Sequence, residues 1–201
     1  MENSKNVKFE SFDHELIFDV ISENSKVLDI GCGDGSLIYE LKKCGIDARG
    51  IELDESLVEK CVKHGLFVIH DDIETGFSHY KTNSFDYVIM SETIQVLKNP
   101  IDTLKEALRV GKKVIVSFPN FAHYKVRFSY FFTGKMPVSK SLPYEWHNTP
   151  NIRVLTIKDF RKICKENKIK VIKEINYSNK KNVFLMPNLF ASNSIFVIEK
   201  K

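Results

Sequence analysis

The stretch VLDIGCGDGS (27–36) places three glycines within five positions, directly after a run of residues that favour a β-strand. Glycine has no Cβ atom, so it accepts positive φ angles and lets a ligand lie against the backbone. A strand that leads through such a loop into a helix also presents free N–H groups at the helix start. The stretch therefore predicts a nucleotide-type ligand site at the end of the first strand of an α/β fold.

Strand and helix patterns alternate along the first 120 residues, as expected for a parallel sheet covered by helices. The predicted strands are 26–30, 48–53, 66–70, 85–90 and 113–118. The helix that precedes them carries its apolar residues at Phe12, Leu16, Ile17, Val20 and Ile21. Gly45 and Gly65 are predicted to end the next two helices. Asn99 is predicted to cap the helix that begins at Pro100.

The pattern changes after the fifth strand. Residues 119–153 hold four of the six prolines and the single tryptophan, so we predict an insertion there rather than another strand and helix. Thr156 and Asp159 have the spacing of a capping box and predict a helix start. Two further strands are predicted at 170–175 and 194–199. No repeat or linker interrupts the chain, so residues 1–201 are predicted to form a single domain.

Two ligand classes use a glycine loop of this kind: dinucleotides and S-adenosylmethionine (SAM). A dinucleotide fingerprint needs glycine or alanine at the position of Ser36. In this loop the glycines stand one residue apart, at Gly31, Gly33 and Gly35. Asp29 and Asp34 flank them with negative charge, which repels a pyrophosphate but suits the ammonium and sulfonium groups of SAM. The loop therefore favours SAM.

Two further acidic residues follow the second and third strands. Glu52, 21 positions after Gly31, is predicted to accept hydrogen bonds from both ribose hydroxyls, although NAD enzymes use the same device. Asp72 is predicted to hold the adenine amino group, with Ile73 packing on the ring. Acids at the ends of three successive strands together support a SAM site.

The charge distribution and the composition argue against several classes of protein. Residues 1–110 carry 12 Lys and Arg against 21 Asp and Glu, whereas residues 111–201 carry 18 against 5. This asymmetry is compatible with an acidic partner, but the lysines are scattered and no nucleic-acid motif accompanies them. The four cysteines lack the spacing of a zinc site or a disulfide framework. The chain has a polar start and no run of roughly 18 apolar residues. We expect a cytoplasmic protein that binds neither metal, membrane nor nucleic acid.

Five stretches carry a more specific resemblance: VLDIGCGDGSL (27–37), SFDYVIMSETIQVLKNP (84–100), VIVSFPNFAHYKVR (114–127), GKMPVSKSLPYEWHNTPNI (134–152) and TIKDF (156–160). Together they resemble the MetW family of methionine biosynthesis proteins, within the class I SAM-dependent methyltransferase superfamily. The resemblance implies a Rossmann-like three-layer sandwich whose seven-stranded, mostly parallel sheet has an antiparallel last strand. It implies a cofactor site at Gly31, Gly33, Gly35, Glu52 and Asp72. It also implies a role in methionine synthesis alongside the homoserine O-acyltransferase.

Ser91 and Glu92 follow the fourth strand, where they border the expected acceptor pocket. We include Ser91 among the predicted cofactor contacts. For both residues the alternative, capping of the next helix, is favoured over binding of a polar substrate. Four further polar aromatic candidates lie in the insertion: His123, Tyr124, Tyr144 and His147. None has a partner carboxylate at fixed spacing, so a packing role is favoured over acid or base catalysis.

An aromatic face is predicted in the insertion. Its members, at helical spacing, are Phe121, Tyr124, Phe128, Phe131 and Phe132. Such a face usually packs in the core. The alternative is a docking surface, because aromatic residues beside Lys125 and Arg127 have the composition enriched at protein interfaces.

Three functions follow from these observations. The favoured one is a SAM-binding accessory protein that acts with the homoserine O-acyltransferase. The second is an enzyme that transfers the methyl group of SAM to a small molecule, with catalytic residues that the sequence does not identify. The third, NAD-dependent oxidoreduction, is weakened by Ser36 and by the lack of a recognisable hydride-transfer pair.

Overall fold

The computed structural model describes residues 9–139 and 141–201, so the polar start and Lys140 lie outside the described residues. The strands are β1 (Lys26–Ile30), β2 (Asp47–Glu52), β3 (Val68–His70), β4 (Phe85–Ser91), β5 (Gly111–Pro119), β6 (Ile169–Ser178), β7 (Lys181–Asn182) and β8 (Asn193–Lys200). The α-helices are α1 (Phe12–Phe18), α2 (Ser36–Lys43), α3 (Glu55–Lys63), α4 (Pro100–Val110), α5 (Tyr124–Thr133), α6 (Ile157–Glu166) and α7 (Pro187–Phe190). Two 3-10 turns lie at Gly76–His79 and Ile94–Val96.

The strands form one sheet in the order β3-β2-β1-β4-β5-β8-β6-β7. The first five strands pair in parallel, and β8 runs antiparallel to both β5 and β6. This confirms the predicted Rossmann-like α/β fold. Strand order reverses between β1 and β4, and open α/β sheets bind ligands in the crevice beyond the carboxyl ends at such a point. The glycine loop and Ser91 lie at those ends.

The strand count is larger than predicted: the sheet has eight strands rather than seven. The additional strand, β7, has two residues, and it pairs with Tyr177 and Ser178 at the end of β6. A segment this short carries no hydrophobic period, so its pattern resembles that of the Asn- and Lys-rich loop around it.

Two apolar clusters bury the sheet, one on each face. Neighbouring residues of β1 divide between them, because side chains alternate along a strand: Val27 packs in one cluster and Leu28 in the other. The larger cluster holds three fully buried aromatic rings, those of Phe118, Phe160 and Phe196, with centroids 4.7 to 5.8 Å apart. These rings join β5, α6 and β8, so the antiparallel β8 shares one core with the parallel half.

The helix ends test the predicted caps. Gly45 and Gly65 follow α2 and α3 with φ angles of 81° and 70°, which confirms their role. Thr156 Oγ1 accepts the Asp159 N–H at 3.2 Å, which confirms the predicted cap. Asp159 Oδ2 accepts the Thr156 hydroxyl at 2.6 Å and not its backbone N–H, so the reciprocal bond of a capping box is not formed. Asn99 stands at the N-cap of α4, which begins at Pro100 as predicted, but the predicted capping by its side chain is wrong, because that side chain makes no cap hydrogen bond. The Glu74 carboxylate instead accepts the N–H groups of Lys98 and Asn99.

The first helix is shorter than its apolar pattern indicates. Ser11 caps α1 by accepting the His14 N–H at 3.1 Å, and the helix ends at Phe18. Val20 and Ile21 therefore lie beyond it, although both still pack against the core. A hydrophobic residue after a helix can keep the helical spacing by chance, so the pattern located the buried face but not the end.

Candidate functional site

The three glycines of the loop have left-handed backbone conformations, with φ angles of 69°, 58° and 77° at Gly31, Gly33 and Gly35. Their surroundings differ. A Cβ atom would lie 2.8 Å from Thr93 Cγ2 at Gly31 and 2.6 Å from Leu66 Cδ1 at Gly35, but at Gly33 it would meet nothing within 4 Å. Gly31 and Gly35 are thus required by packing inside the protein, whereas Gly33 keeps an open space beside the backbone.

Glu52 fixes the position of this loop. Its Oε2 atom accepts the Gly33 N–H at 2.8 Å, and its Oε1 atom accepts the N–H groups of Leu53 at 2.8 Å and Asp54 at 3.0 Å. A carboxylate has about four lone-pair sites, so acceptor capacity remains for a ligand hydroxyl. The carboxylate predicted to bind the ribose is therefore joined to the open glycine by a direct hydrogen bond.

A cavity of about 660 Å³ opens beside the loop. It lies between the start of α1, the loop, the end of β4 and strands β6 and β8. Four of the predicted site residues line it, namely Asp29, Gly31, Gly33 and Ser91. The other four, Gly35, Glu52, Asp72 and Ile73, are not in its lining. The loop and the β4 end are thus brought together, while the acids after β2 and β3 lie outside this space.

Asp29 has an unusual environment in the cavity wall. The residue is only 2% exposed, and its Oδ1 atom has no hydrogen-bond partner among the described residues. Burial, with a contribution from the Glu52 charge, raises the pKa of Asp29 from 3.8 to about 7. An unpaired buried carboxylate is costly, and a cation that reached it would supply the missing partner. Asp29 and the open side of Gly33 therefore fit a flat ligand that carries a positive charge.

Asp72 and Ile73 have structural contacts of their own. Asp72 Oδ1 accepts the Glu74 N–H at 2.9 Å, and the Asp72 carbonyl accepts the Thr75 N–H at 2.9 Å, so the residue forms a turn. Ile73 is buried in the larger apolar cluster. Contact of these two residues with an adenine ring stays a prediction.

Ser91 and Glu92 do not cap the next helical segment, so that favoured interpretation is wrong. The 3-10 turn begins after Thr93 and has no side-chain cap. Ser91 Oγ lies 3.3 Å from Ser117 Oγ on the neighbouring strand. Glu92 has a φ angle of 51°, rare for a residue with a side chain, and its N–H is held by the carbonyl and hydroxyl of Ser117 at 3.1 and 3.2 Å.

The start of α1 supplies site residues that sequence reasoning missed. Asp13 and His14 line the cavity, and Asp13 Oδ1 is buried without a hydrogen-bond partner among the described residues. Burial and the Glu92 charge raise the pKa of Asp13 to about 7, and the Ser117 hydroxyl opposes them. His14 Nδ1 lies 2.7 Å from Glu40 Oε2, which ties α1 to α2. No local pattern links residue 13 to residue 92, so only the fold shows that both line the same cavity.

A second cavity, of about 620 Å³, adjoins the first. The two share Glu92, Tyr177 and Asn193 in their linings, and the second is also lined by His123 and Lys125 of the insertion. Burial lowers the pKa of His123, with a further contribution from the Lys125 charge, so its imidazole is neutral near pH 7. Of the predicted insertion candidates only His123 reaches these cavities, because Tyr124, Tyr144 and His147 line neither.

Three of the five residues predicted to form the aromatic face of the insertion, Phe128, Phe131 and Phe132, are exposed, whereas Phe121 and Tyr124 are half-buried. Helix α5 has no buried residue, and Phe131 and Phe132 are 80% and 73% exposed. The interpretation of this face as core is therefore wrong for Phe128, Phe131 and Phe132. Phe128 and Phe132 stack at 5.9 Å, and Phe131 meets Phe132 edge-on at 5.1 Å. A contiguous exposed apolar patch of this kind is typical of an interaction surface.

The part of the chain that the structure describes lacks two further features. None of its helices has the length and apolarity required to cross a bilayer. No cluster of three or more His, Cys, Asp or Glu side chains there is arranged to hold a metal ion.

The sheet order and the loop at its switch point define a protein of the SAM-dependent methyltransferase fold. A methyltransferase from Thermotoga maritima, described as a possible histamine N-methyltransferase, is 20% identical with a TM-score of 0.66, over 94% of this chain and 87% of that one. The magnesium protoporphyrin IX methyltransferase from Synechocystis, crystallised with bound S-adenosylhomocysteine (SAH), is 17% identical with a TM-score of 0.64, over 93% and 79% of the two chains. At these identities the likeness establishes the fold alone.

The family model described as methionine biosynthesis protein MetW matches residues 11–198, so the chain belongs to the MetW family. A relative from Rhodopirellula baltica, named bifunctional methionine biosynthesis protein MetXA/MetW, is 33% identical over 173 residues. The match covers 81% of this chain but 28% of that relative. This chain therefore matches only one part of that longer relative.

Proposed function

We propose that this chain binds SAM and acts in methionine biosynthesis as the partner of the homoserine O-acyltransferase. A relative that joins MetXA, the acyltransferase, and MetW in one chain supports this, because fusion keeps two cooperating parts together. The proposed place of action is the cytoplasm, where SAM and the intermediates of amino-acid synthesis are found.

The observation that carries the cofactor proposal is the pairing of an open glycine with an unpartnered buried acid. Gly33 leaves space for a ligand against the backbone, and Asp29 Oδ1 lacks a hydrogen-bond donor. We assign Asp29 to the cationic amino-acid end of the cofactor and Glu52 to its ribose, with Asp72 and Ile73 at the adenine. When bound, SAM supplies a sulfonium methyl group, and these residues orient it.

Calorimetry with SAH tests this assignment. Glu52→Gln keeps the size of the side chain but removes the charge that accepts three backbone N–H groups, so SAH affinity should fall at least about tenfold. Glu59→Gln is the matched control, because Glu59 is exposed and pairs with Lys63 on the same helix. Equal SAH affinity in wild type and Glu52→Gln would remove the cofactor assignment.

We propose the exposed aromatic face of α5 as the contact with the acyltransferase. The pair Phe131 and Phe132 offers a large apolar area at low conformational cost, and basic side chains flank it at Lys125 and Arg127. Copurification with the acyltransferase, followed by its assay with and without this chain, is the direct test. Phe131→Ser should weaken the complex, whereas Phe184→Ser, a change at an 89% exposed residue after β7, should not.

Failure of the wild-type chain to bind the acyltransferase or to change its rate would contradict the partner role. A methyltransferase that acts on a small molecule is then the better function. One observation favours it: a second cavity, bordered by the neutral His123, adjoins the first. Transfer of a labelled methyl group to a metabolite extract would establish that activity.

A further inference from the structure

Three consecutive large apolar side chains, those of Phe184, Leu185 and Met186, project from the loop between β7 and α7. They are 89%, 76% and 57% exposed. Monomeric soluble proteins usually expose such side chains singly, so a contiguous group of this kind indicates a contact surface. The group lines neither cavity beside the glycine loop and does not belong to the aromatic face of α5.

The loop that carries this group is fixed at both ends. Before it, the Val183 N–H donates to the Asn176 carbonyl at 2.7 Å, and Val183 packs against the larger apolar cluster. After it, the Met186 carbonyl accepts the N–H groups of Leu189 at 2.8 Å and Phe190 at 3.1 Å. Because the protrusion is held in place before any contact forms, binding through it costs little conformational entropy.

A groove of about 510 Å³ lies directly beside the protrusion. Its lining joins Phe184 and Pro187 to residues of α1 and β6, among them Leu16 and Ile175. A protrusion next to a groove is self-complementary, because a two-fold axis places the protrusion of each copy in the groove of the other. One surface then forms two equal contacts, which is the geometry of an isologous dimer.

The charges of the groove are balanced within one copy. Arg161 donates two hydrogen bonds to the Glu174 carboxylate, at 2.9 and 2.6 Å. The other two charged residues of the lining, Asp19 and Lys173, are exposed, and neither forms a salt bridge within 4.0 Å with any described residue. The lining thus holds two acids and two bases, with one of each sign left over.

This balance favours a second copy over other occupants. A copy brings the same charges, so a surface with a large net charge would repel it, whereas a balanced one does not. A nucleic acid or an anionic bilayer instead requires an excess of positive charge around the contact. Lys158 and Lys181 lie outside the groove lining and are exposed to solvent, where a single charge contributes little.

We propose that this surface binds a second copy of the chain in a two-fold dimer. Phe184 of each copy enters the groove of the other, and Asp19 of each copy pairs with the partner's Lys173. The dimer depends on neither the cofactor nor the acyltransferase, so its test contains neither of them. Its outcome is therefore independent of the proposed function.

Sedimentation velocity of the full chain over a concentration series tests the surface. We expect the wild type to form a dimer. Phe184→Ser should raise the Kd of the dimer at least about tenfold, because an anchoring side chain is lost at two symmetric positions. Phe131→Ser is the control: it removes a similarly exposed phenylalanine from α5 and should leave the Kd unchanged.

An exchange of charges tests the two-fold arrangement. Asp19→Lys and Lys173→Asp should each raise the Kd at least about tenfold, because each brings like charges together at two positions. The double variant Asp19→Lys/Lys173→Asp restores opposite signs and should dimerise as the wild type does. Its recovery would also show that the two substitutions leave the fold intact.

Three results would overturn the inference. One is a wild-type chain that stays monomeric at the highest concentration; weakening of the acyltransferase complex by Phe184→Ser would then assign the surface to that enzyme. Another is a dimer that Phe184→Ser does not weaken, because a different face would form it. The third is a double charge variant that dimerises as weakly as the single ones.

Discussion

Gly33 and Gly35 differ in their surroundings, and alanine at each position should therefore affect different properties. Both have left-handed backbones, a conformation that costs an L-residue about 1–2 kcal/mol. At Gly35 the new methyl group would also lie 2.6 Å from Leu66 Cδ1 and 2.8 Å from Cys61 Sγ. Overpacking of this kind costs about 1–3 kcal/mol, so Gly35→Ala should lose about 2–5 kcal/mol of unfolding free energy.

Gly33→Ala has no such clash, because its Cβ would meet nothing within 4 Å. Its stability loss should stay at about 1–2 kcal/mol. The methyl group would however enter the space proposed for the cofactor, so SAH affinity should fall at least about tenfold, or about 1.4 kcal/mol. Gly45→Ala is the matched control: its φ angle is 81°, its Cβ would also be free, and it lies at the end of α2 away from the loop.

Urea unfolding and calorimetry with SAH on the three variants separate these effects. The expected result is equal stability in Gly33→Ala and Gly45→Ala, lower stability in Gly35→Ala, and weakened SAH binding in Gly33→Ala but not in Gly45→Ala. If Gly33→Ala bound SAH as wild type does, the open side of Gly33 would not face the cofactor. If Gly35→Ala were as stable as Gly45→Ala, the contact with Leu66 and Cys61 would not restrict that position.

Three further predictions concern titration, packing and capping. Because burial raises the folded-state pKa of Asp29 from 3.8 to about 7, the native protein holds a proton that the unfolded chain releases, and this stabilising contribution is lost as the pH rises through about 7. In denaturant titrations between pH 5 and pH 8, the free energy of unfolding of the wild type should fall by about 2–3 kcal/mol more than that of Asp29→Asn. Parallel plots of unfolding free energy against pH for the two proteins would contradict this. Arg109→Ala removes the donors to the carbonyls of Tyr80 at 2.7 Å and Phe77 at 2.8 Å, so it should lower the free energy of unfolding by about 2–3 kcal/mol. Lys105→Ala, the control, removes an exposed ion pair and should lower it by under about 0.5 kcal/mol. Similar losses in the two variants would refute the role of Arg109. Thr156→Ala should destabilise the protein by about 1 kcal/mol through the start of α6, and rescue by Thr156→Ser is the check on the capping hydrogen bond.

The parallel half of the fold was predictable because its signals are local. Four of the five strands from β1 to β5 contain a short apolar run, the exception being β2, and glycine ends α2 and α3 where the helical spacing stops. The two-residue β7 and the short α7 have no such period, so the Asn- and Lys-rich segment concealed them. The aromatic face of α5 has helical spacing but is exposed, because periodicity reports a shared face and not what covers it.

The loop side of the candidate site was also predictable, while the opposite wall was not. The spacing of Gly31, Gly33 and Gly35 and the position of Glu52 follow from one strand–loop–helix unit and its neighbour. Asp13 lines the same cavity as Glu92, the residue after β4, although the two are 79 positions apart. Tyr177 and Asn193 reach the cavities only because β8 inserts between β5 and β6. Such contacts depend on topology, which no local pattern contains.

The acids Asp13, Asp29 and Glu92 connect ligand binding with stability. Burial raises the pKa of each, so the charged forms destabilise the native protein as the pH rises. A cationic ligand that binds the charged forms opposes this loss, and its stabilising effect grows with the ratio of its concentration to its Kd. The stability gained from SAH should therefore be larger at pH 8 than at pH 6. A site whose buried negative charge is partly balanced by its ligand makes the folded population depend on ligand supply.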